Sequence, residues 1–243
     1  MKYAVVTGST KGIGKAIALR LLKTMPDVFV VLNYAHDEAA AEKVALELNQ
    51  DYPDRFRILK ADLADQHGLQ SFLGGIAAIT PSIDYLIVNA AVTNRKPYTE
   101  ITEAEWNTVL NTNLTIPFFL TQKLADKINV DGRIIFISSI LGEYPHSLSI
   151  PYGVTKASID MLAKMLVKEY CSKNITVNAI APGFVMTAWQ EAKGEEIIDR
   201  ISGKIALHRF AQPDEIASLV QHVLENAYIN GSVINIDGGY SYQ

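Results

Sequence analysis

The chain has 243 residues and a formal net charge of −4, with 49% hydrophobic and 20% charged residues. That is the composition of a folded globular protein with enough chain for a substantial core; it excludes extended disorder and argues against a nucleic-acid partner, whose phosphates require a basic face. The one cysteine, Cys171, leaves no intramolecular disulfide, fits a reducing compartment and is expected to be a small buried side chain.

Lys11 and Lys15 interrupt the N-terminal apolar run, no small-residue cleavage site follows, and no stretch reaches the length of a membrane span. The expectation is a soluble cytoplasmic protein with no membrane partner.

In chain order, "YAVVT" (Tyr3–Thr7) is a buried strand, followed by a helix with Ile13, Ile17, Leu21 and Leu22 on one face. "VFVVLN" (Val28–Asn33) is a strand, and Asp37–Gln50 a helix that opens on acids, as the helix dipole favours. "RFRILKAD" (Arg55–Asp62), "IDYLIVNA" (Ile83–Ala90), "GRIIFISS" (Gly132–Ser139), "ITVNAIAP" (Ile175–Pro182) and "SVINID" (Ser232–Asp237) read as further strands. Helical patterns cover Gln66–Ala78, Thr102–Lys127, Pro151–Cys171 and Pro213–Leu224, the last with proline and two acids in its first turn. The strands are near-continuous Val/Ile runs, as strands buried on both faces are. The alternation predicts an α/β fold: one domain over 1–243, built on a doubly wound parallel sheet of about seven strands with helices on both faces. The polar stretch 184–210 reads as a surface loop with a helix or as a substrate lid.

"TGSTKGIGK" (Thr7–Lys15) lies between the first strand and the first helix, where a glycine-rich turn meets phosphate. A P-loop needs G-x-x-x-x-G-K-[ST], but five residues separate Gly8 from Gly14, and Ala16 follows Lys15 where a magnesium-binding hydroxyl is required. Gly8, Gly12 and Gly14 suit a dinucleotide pyrophosphate at the helix N-terminus instead. The second strand ends in Leu32, Asn33 and Tyr34, with no acid for a ribose 2′-hydroxyl, while Lys11 lies in the loop and His36 nearby. A 2′-phosphate would thus meet a cation and no opposing carboxylate, so NADP(H) is favoured over NAD(H).

Tyr152 and Lys156 are four apart on one helix and share a face. An ammonium beside a phenol favours the phenolate and lowers its pKa, so such a tyrosine can exchange a proton with a carbonyl oxygen as hydride arrives. Ser139 ends a parallel strand, the edge at which α/β sheets place ligands. Ser138 is the alternative, although its side chain should face the other way.

Over essentially its whole length the chain resembles the short-chain dehydrogenase/reductases, a family with a Rossmann fold. "TGSTKGIG" resembles the family's TGxxxGxG loop and "YGVTK" its YxxxK, with Ser139 thirteen residues before Tyr152; "NTNL", "NAIAPGFVMT" and "IDGG" also fit. The resemblance implies a Ser139, Tyr152, Lys156 and Asn113 catalytic set. Tyr152 would be the acid/base, Lys156 would lower its pKa and hold the nicotinamide ribose, and Asn113 would position a water linking Lys156 to solvent. It implies cofactor contacts from Gly8, Thr10, Lys11, Gly12, Ile13, Gly14, Asn33, Asp62, Leu63, Asn89, Tyr152, Lys156, Pro182, Gly183 and Thr187, with no metal. The family's NNAG reads Val88-Asn89-Ala90-Ala91 here, and His208 and Ala211 stand where many relatives carry glycine. His208 is expected at the surface or in packing.

Within the family the chain most resembles 3-oxoacyl-[acyl-carrier-protein] reductases. That implies NADPH-dependent reduction of a 3-oxoacyl thioester on acyl carrier protein, with basic residues near the site entrance drawn from Lys127, Arg133, Lys168 and Lys173. A reductase of another small ketone, sugar, quinone or steroid-like substrate shares every motif used, and a catalytically silent dinucleotide-binding regulator is the alternative of a different class. A homotetramer is implied as well, packed through the Thr102–Lys127 and Pro151–Cys171 helices and the C-terminal strand region.

Overall fold

The apolar runs dictate a sheet with two buried faces. The computed structural model describes residues 1–145, 149–191 and 193–242. Seven strands form one sheet among them: β1 (Lys2–Val6), β2 (Val28–Tyr34), β3 (Phe56–Lys60), β4 (Ile83–Val88), β5 (Ile128–Ile137), β6 (Thr176–Pro182) and β7 (Val233–Ile236). The order is β3-β2-β1-β4-β5-β6-β7, and all pairings are parallel. Successive residues of β1 feed opposite cores, as strand geometry requires. Ala4 and Val6 pack with Ile17, Leu21, Ile216 and Val220, whereas Val5 packs with Phe72, Leu120 and Ile159.

The first of these cores lies under α1 (Gly12–Thr24), α2 (Glu38–Asp51) and a C-terminal helix at Pro213–Glu225. The second lies under α3 (Gln66–Ile79) and the helices of the chain's middle third. Each fully buried Val, Leu or Ile contributes about 1.5–3 kcal/mol, so the two cores supply most of the drive for this layering. Because α1 follows β1 on one face and α3 precedes β4 on the other, the chain reverses direction across the sheet between β1 and β4. Their carboxyl ends open a crevice there, where doubly wound sheets bind ligands.

The helical pattern of Thr102–Lys127 resolves into three parts. Thr102 and Glu105 form a capping box at the start of α4 (Glu103–Leu110), a π-helical turn spans Asn111–Thr115, and α5 (Ile116–Leu124) follows. Pro117 accounts for the break. It has no N–H to give the carbonyl of Asn113 four residues earlier, so α-helical hydrogen bonding cannot run through that turn. α6 (Ile150–Tyr170) continues without such an interruption. Short helices α7 (Ala188–Glu191) and α8 (Glu195–Ser202) occupy the 184–210 stretch, and α9 is the Pro213–Glu225 helix. Ala192 lies outside the described residues.

Three further expectations change. Cys171 is exposed rather than buried; it follows the C-terminus of α6, where its thiol meets the Lys168 carbonyl at 3.1 Å. Strand β5 begins at Ile128, before the expected Gly132. Arg133 is 8% exposed, and its guanidinium donates to the carbonyls of Leu224 (3.2 Å) and Gly132 (2.9 Å). It ties β5 to the end of α9 and is not available to a docking partner.

His208 is exposed and adopts φ +52°, a left-handed conformation that suits glycine. Ala211 instead forms a parallel bridge with Val185 and has no need of glycine.

Replacing Arg133 by Met should leave buried carbonyls without their donor and cost about 2 kcal/mol of stability. Urea unfolding of the two proteins checks this, and a midpoint unchanged by the substitution would contradict the structural role.

Candidate active site

The carboxyl ends of β1, β2 and β4 are bound together by side chains of the glycine loop and its neighbours. Thr7 Oγ1 accepts from the backbone N–H of both Asn89 and Ala90 at 2.9 Å. Asn89 Nδ2 donates to the carbonyls of Thr7 (3.0 Å) and Gly8 (2.9 Å). Asn33 Oδ1 accepts from Gly8 N–H at 3.1 Å, and its Nδ2 donates to the Ala61 carbonyl at 2.9 Å. Ser9 Oγ accepts from the Asn33 N–H at 3.0 Å and donates to the Val6 carbonyl at 2.7 Å. Thus Asn33, only 2% exposed, spends its side chain on holding the loop between β2 and β3. It positions the loop instead of facing a ligand.

This knot leaves room only for glycine at two points. Gly8 has φ +60°, and a Cβ on Gly14 would lie 2.6 Å from Asn89 Nδ2 and overlap the Gly8 carbonyl. The helix behind them, α1, has no acid in its first turn, and its N-cap residue Lys11 makes no side-chain cap. Orphan N–H groups at a helix N-terminus without a side-chain cap fit a phosphate. Across the crevice the Thr187 methyl approaches Gly12, at 3.4 Å from where a Cβ would stand. The loop of Thr10–Gly14 and the segment Pro182, Gly183 and Thr187 are therefore brought to one crevice. Gly183 N–H donates to the Ile236 carbonyl at 3.0 Å, which fixes that segment to the end of β7.

The rim beside β2 corrects the reading of its charges. Lys11 Nζ lies 3.2 Å from Asp37 Oδ2, so the loop lysine does have an opposing carboxylate. His36 Nε2 lies 3.2 Å from Asp62 Oδ2, and Asp62 Oδ1 accepts from Ala64 N–H at 3.1 Å. Leu63 is buried next to Asp62.

At the ends of β5 and α6 the structure assembles Ser139, Tyr152, Lys156 and Asn113. The two serines part as the strand pleat requires. Ser138 Oγ lies 3.3 Å from the Lys156 carbonyl, whereas Ser139 faces the Tyr152 phenol and accepts from Leu141 N–H at 3.2 Å. Lys156 is 4% exposed; its Nζ donates to the Ile137 carbonyl at 2.7 Å and sits 5.2 Å from the Tyr152 ring centroid. Asn113 Nδ2 donates to the carbonyl of Val92 (2.8 Å) and to Thr155 Oγ1 (3.1 Å), and its Oδ1 accepts from Val92 N–H at 2.9 Å. Its side chain is thereby committed to the loop after β4 and to α6. The carbonyl that Pro117 deprives of an α-helical donor is its remaining group.

The electrostatics run against one expectation. Burial pushes the Tyr152 phenol up to about 12, with the Ser139 hydrogen bond and the Arg95 charge acting the other way. Burial therefore outweighs the nearby positive charges, and the phenol is raised rather than lowered. Burial brings Lys156 itself down to about 8, opposed by the Asp160 carboxylate. At neutral pH the site therefore holds a protonated phenol beside an ammonium.

Sequence reasoning missed Thr7, Ser9 and Thr155 as positioning residues and Arg95 as a charge acting on the phenol. Thr155 was legible in principle, since it stands inside "YGVTK" one residue before Lys156. Lys168 and Lys173, expected at a basic entrance, lie away from Tyr152. Lys168 is sixteen residues after Tyr152 on the same helix, about 24 Å away at 1.5 Å per residue. Lys173 donates to the Ala125 carbonyl at 2.9 Å, at the same far end of the sheet.

A doubly wound parallel sheet, a glycine loop on a helix N-terminus and a Ser–Tyr–Lys group at neighbouring strand ends together define a nicotinamide-dinucleotide oxidoreductase. The chain belongs to the short-chain dehydrogenase family, whose model matches residues 2–197. It is 34% identical over 242 residues to the 3-oxoacyl-[acyl-carrier-protein] reductase FabG of Staphylococcus aureus, covering 98% of this chain and 97% of that protein. Among solved structures it is similar to a short-chain dehydrogenase/reductase of Serratia marcescens, with a TM-score of 0.91, 30% identity and 99% and 98% of the two chains covered. A short-chain dehydrogenase of Burkholderia cenocepacia in complex with NADP has a TM-score of 0.91, 28% identity and the same coverage. No helix among the described residues is long and apolar enough to cross a membrane.

Proposed function

We propose that the protein reduces a ketone to a secondary alcohol with NADPH, and that Tyr152 is the proton donor. The observation that carries this reading is the placement of Tyr152 beside Ser139 and one helical turn before the buried Lys156, whose Nζ lies 5.2 Å from the Tyr152 ring.

The residues of the crevice fit the dinucleotide. Gly8, Thr10, Lys11, Gly12, Ile13 and Gly14 would hold its phosphates, Asp62 and Leu63 its adenine, and Asn89 the crevice floor. Tyr152 and Lys156 would hold the nicotinamide ribose, and Pro182, Gly183 and Thr187 the carboxamide. When bound, the nicotinamide supplies a hydride to the carbonyl carbon. Ser139 holds the carbonyl oxygen, and Tyr152 gives that oxygen its proton. The phenolate so formed lies beside the Lys156 charge, which stabilises it until it is reprotonated. The main-chain carbonyl of Asn113 would hold a water that links Lys156 to solvent and returns the proton.

A 3-oxoacyl thioester carried on acyl carrier protein is the favoured substrate. Full-length similarity to a protein of that activity supports it, as does the positive charge of Arg95 beside Tyr152. The stretch 184–210, where Phe184 packs on Phe210 and Tyr240, would act as the substrate lid. The assembly that suits this chain is a homotetramer in the cytoplasm. Val154, Met161 and Met165 are exposed on α6 and Phe118 on α5, and β7 is an edge strand.

Tyr152→Phe should lower kcat at least about 1,000-fold while leaving the Kd for NADPH within about threefold. Substantial residual turnover would remove Tyr152 from the proton-donor role.

The Lys156 charge is lost as pH rises through about 8, whereas the phenol, near 12, stays protonated there. The rate of reduction should therefore fall as pH rises through about 8, and Lys156→Met should be slow at every pH, without that limb. A wild-type rate that stays level from about pH 7 to 10 would contradict a catalytic charge on Lys156.

A further inference from the structure

The sequence singled out Lys11 as the cation for a 2′-phosphate, yet the structure shows that cation already engaged. Lys11 Nζ lies 3.2 Å from Asp37 Oδ2. Asp37 is held in place by its own element: as the N-cap of α2, its other oxygen accepts from Ala40 N–H at 3.0 Å. One carboxylate thus serves two donors, the helix end with Oδ1 and the loop lysine with Oδ2. The neighbouring Lys60 is paired as well, with Glu38 at 3.3 Å, and the His36 imidazole lies 3.2 Å from Asp62. A phosphate at this rim therefore competes with a carboxylate for its lysine.

We infer that Asp37 is a specificity-determining residue that latches Lys11, lowering the advantage of NADPH over NADH. The inference rests on the reading of Lys11 as the 2′-phosphate ligand. NADPH gains the Lys11 contact by drawing the ammonium from Asp37 or sharing it, and its phosphate then lies close to that carboxylate. NADH, with a neutral 2′-hydroxyl, leaves the pair intact and experiences neither effect. Asp37 therefore acts on the difference between the two cofactors and hardly on their shared contacts.

Asparagine keeps the N-cap hydrogen bond and removes the charge, so Asp37→Asn preserves the start of α2. The test is titration of the full chain with NADPH and with NADH at one fixed salt concentration, read by nicotinamide fluorescence. Four proteins are compared: wild type, Asp37→Asn, Lys11→Ala and the double variant. Asp37→Asn should tighten NADPH about three- to fivefold and leave NADH within about twofold. In the Lys11→Ala background the same substitution should have less than about half that effect, because the latch has nothing to hold.

No change in NADPH affinity on Asp37→Asn would overturn the inference. So would an equal change for both cofactors, or an equal change with and without Lys11. If Lys11→Ala weakens NADPH while Asp37→Asn does nothing, the latch alone fails. If Lys11→Ala leaves NADPH unaffected, the assignment of Lys11 to the 2′-phosphate fails, and the latch with it.

Discussion

Three strand ends and the glycine loop share one hydrogen-bonded knot, and the crevice depends on it. The Asn89 amide holds the carbonyls of Thr7 and Gly8, while Asn33 takes the Gly8 N–H and reaches the Ala61 carbonyl on the strand beyond. Asn33 is buried and Asn89 half-buried, and amides so enclosed are stable only when each polar atom finds a partner, a requirement that fixes the loop's path closely. With the path fixed, Gly14 must be small, the N–H groups of α1 open toward the crevice, and Lys11 is carried to its rim. The second Asn of the family's NNAG is the one in the knot. Its retention, with Val88 and Ala91 on either side, explains how the chain keeps the crevice while departing from the motif.

The chemical half of the site rests on burial instead. Lys156 lies among β5 and α6 with its ammonium on the Ile137 carbonyl, and Tyr152 stands one helical turn before it. Burial raises the phenol and lowers the ammonium, so their ionisations move apart, and the phenol keeps its proton well above the pH at which the ammonium loses its own. Such a pair suits a proton that must be given up when a carbonyl is reduced and then recovered. Asn113 connects this pair to the cofactor half by bonding to both Val92 and Thr155. The π-helical turn, set by Pro117, gives that asparagine its place.

Much of the fold was legible because each strand is a run of apolar residues and the two β1 faces feed different cores. The glycine spacing and the Tyr152–Lys156 interval were legible for a similar reason, since both express local geometry. Contacts between residues distant in sequence were not. Nothing local in "NYAHDE" shows that Asp37 folds back onto Lys11, or that Asn33 turns inward instead of toward a ribose. Arg133 looked like surface charge until β5 and α9 closed around it. Cys171 looked buried because its residue type usually is, but it lies just past the end of α6, where the chain turns out to solvent. The direction of the Tyr152 shift also escaped pattern reasoning, since it follows from how deeply the ring sits and not from the nearness of a lysine.

The most direct test of the central claim is NADPH oxidation by the purified protein against a panel of ketones, with β-ketoacyl thioesters presented on carrier protein and on a small thiol. The account predicts turnover of ketones, fastest with a β-ketoacyl thioester, and formation of the secondary alcohol in step with NADPH consumed. Tight NADPH binding without turnover of any member of the panel would contradict it, and would leave a dinucleotide-binding protein that has kept the fold without the reaction.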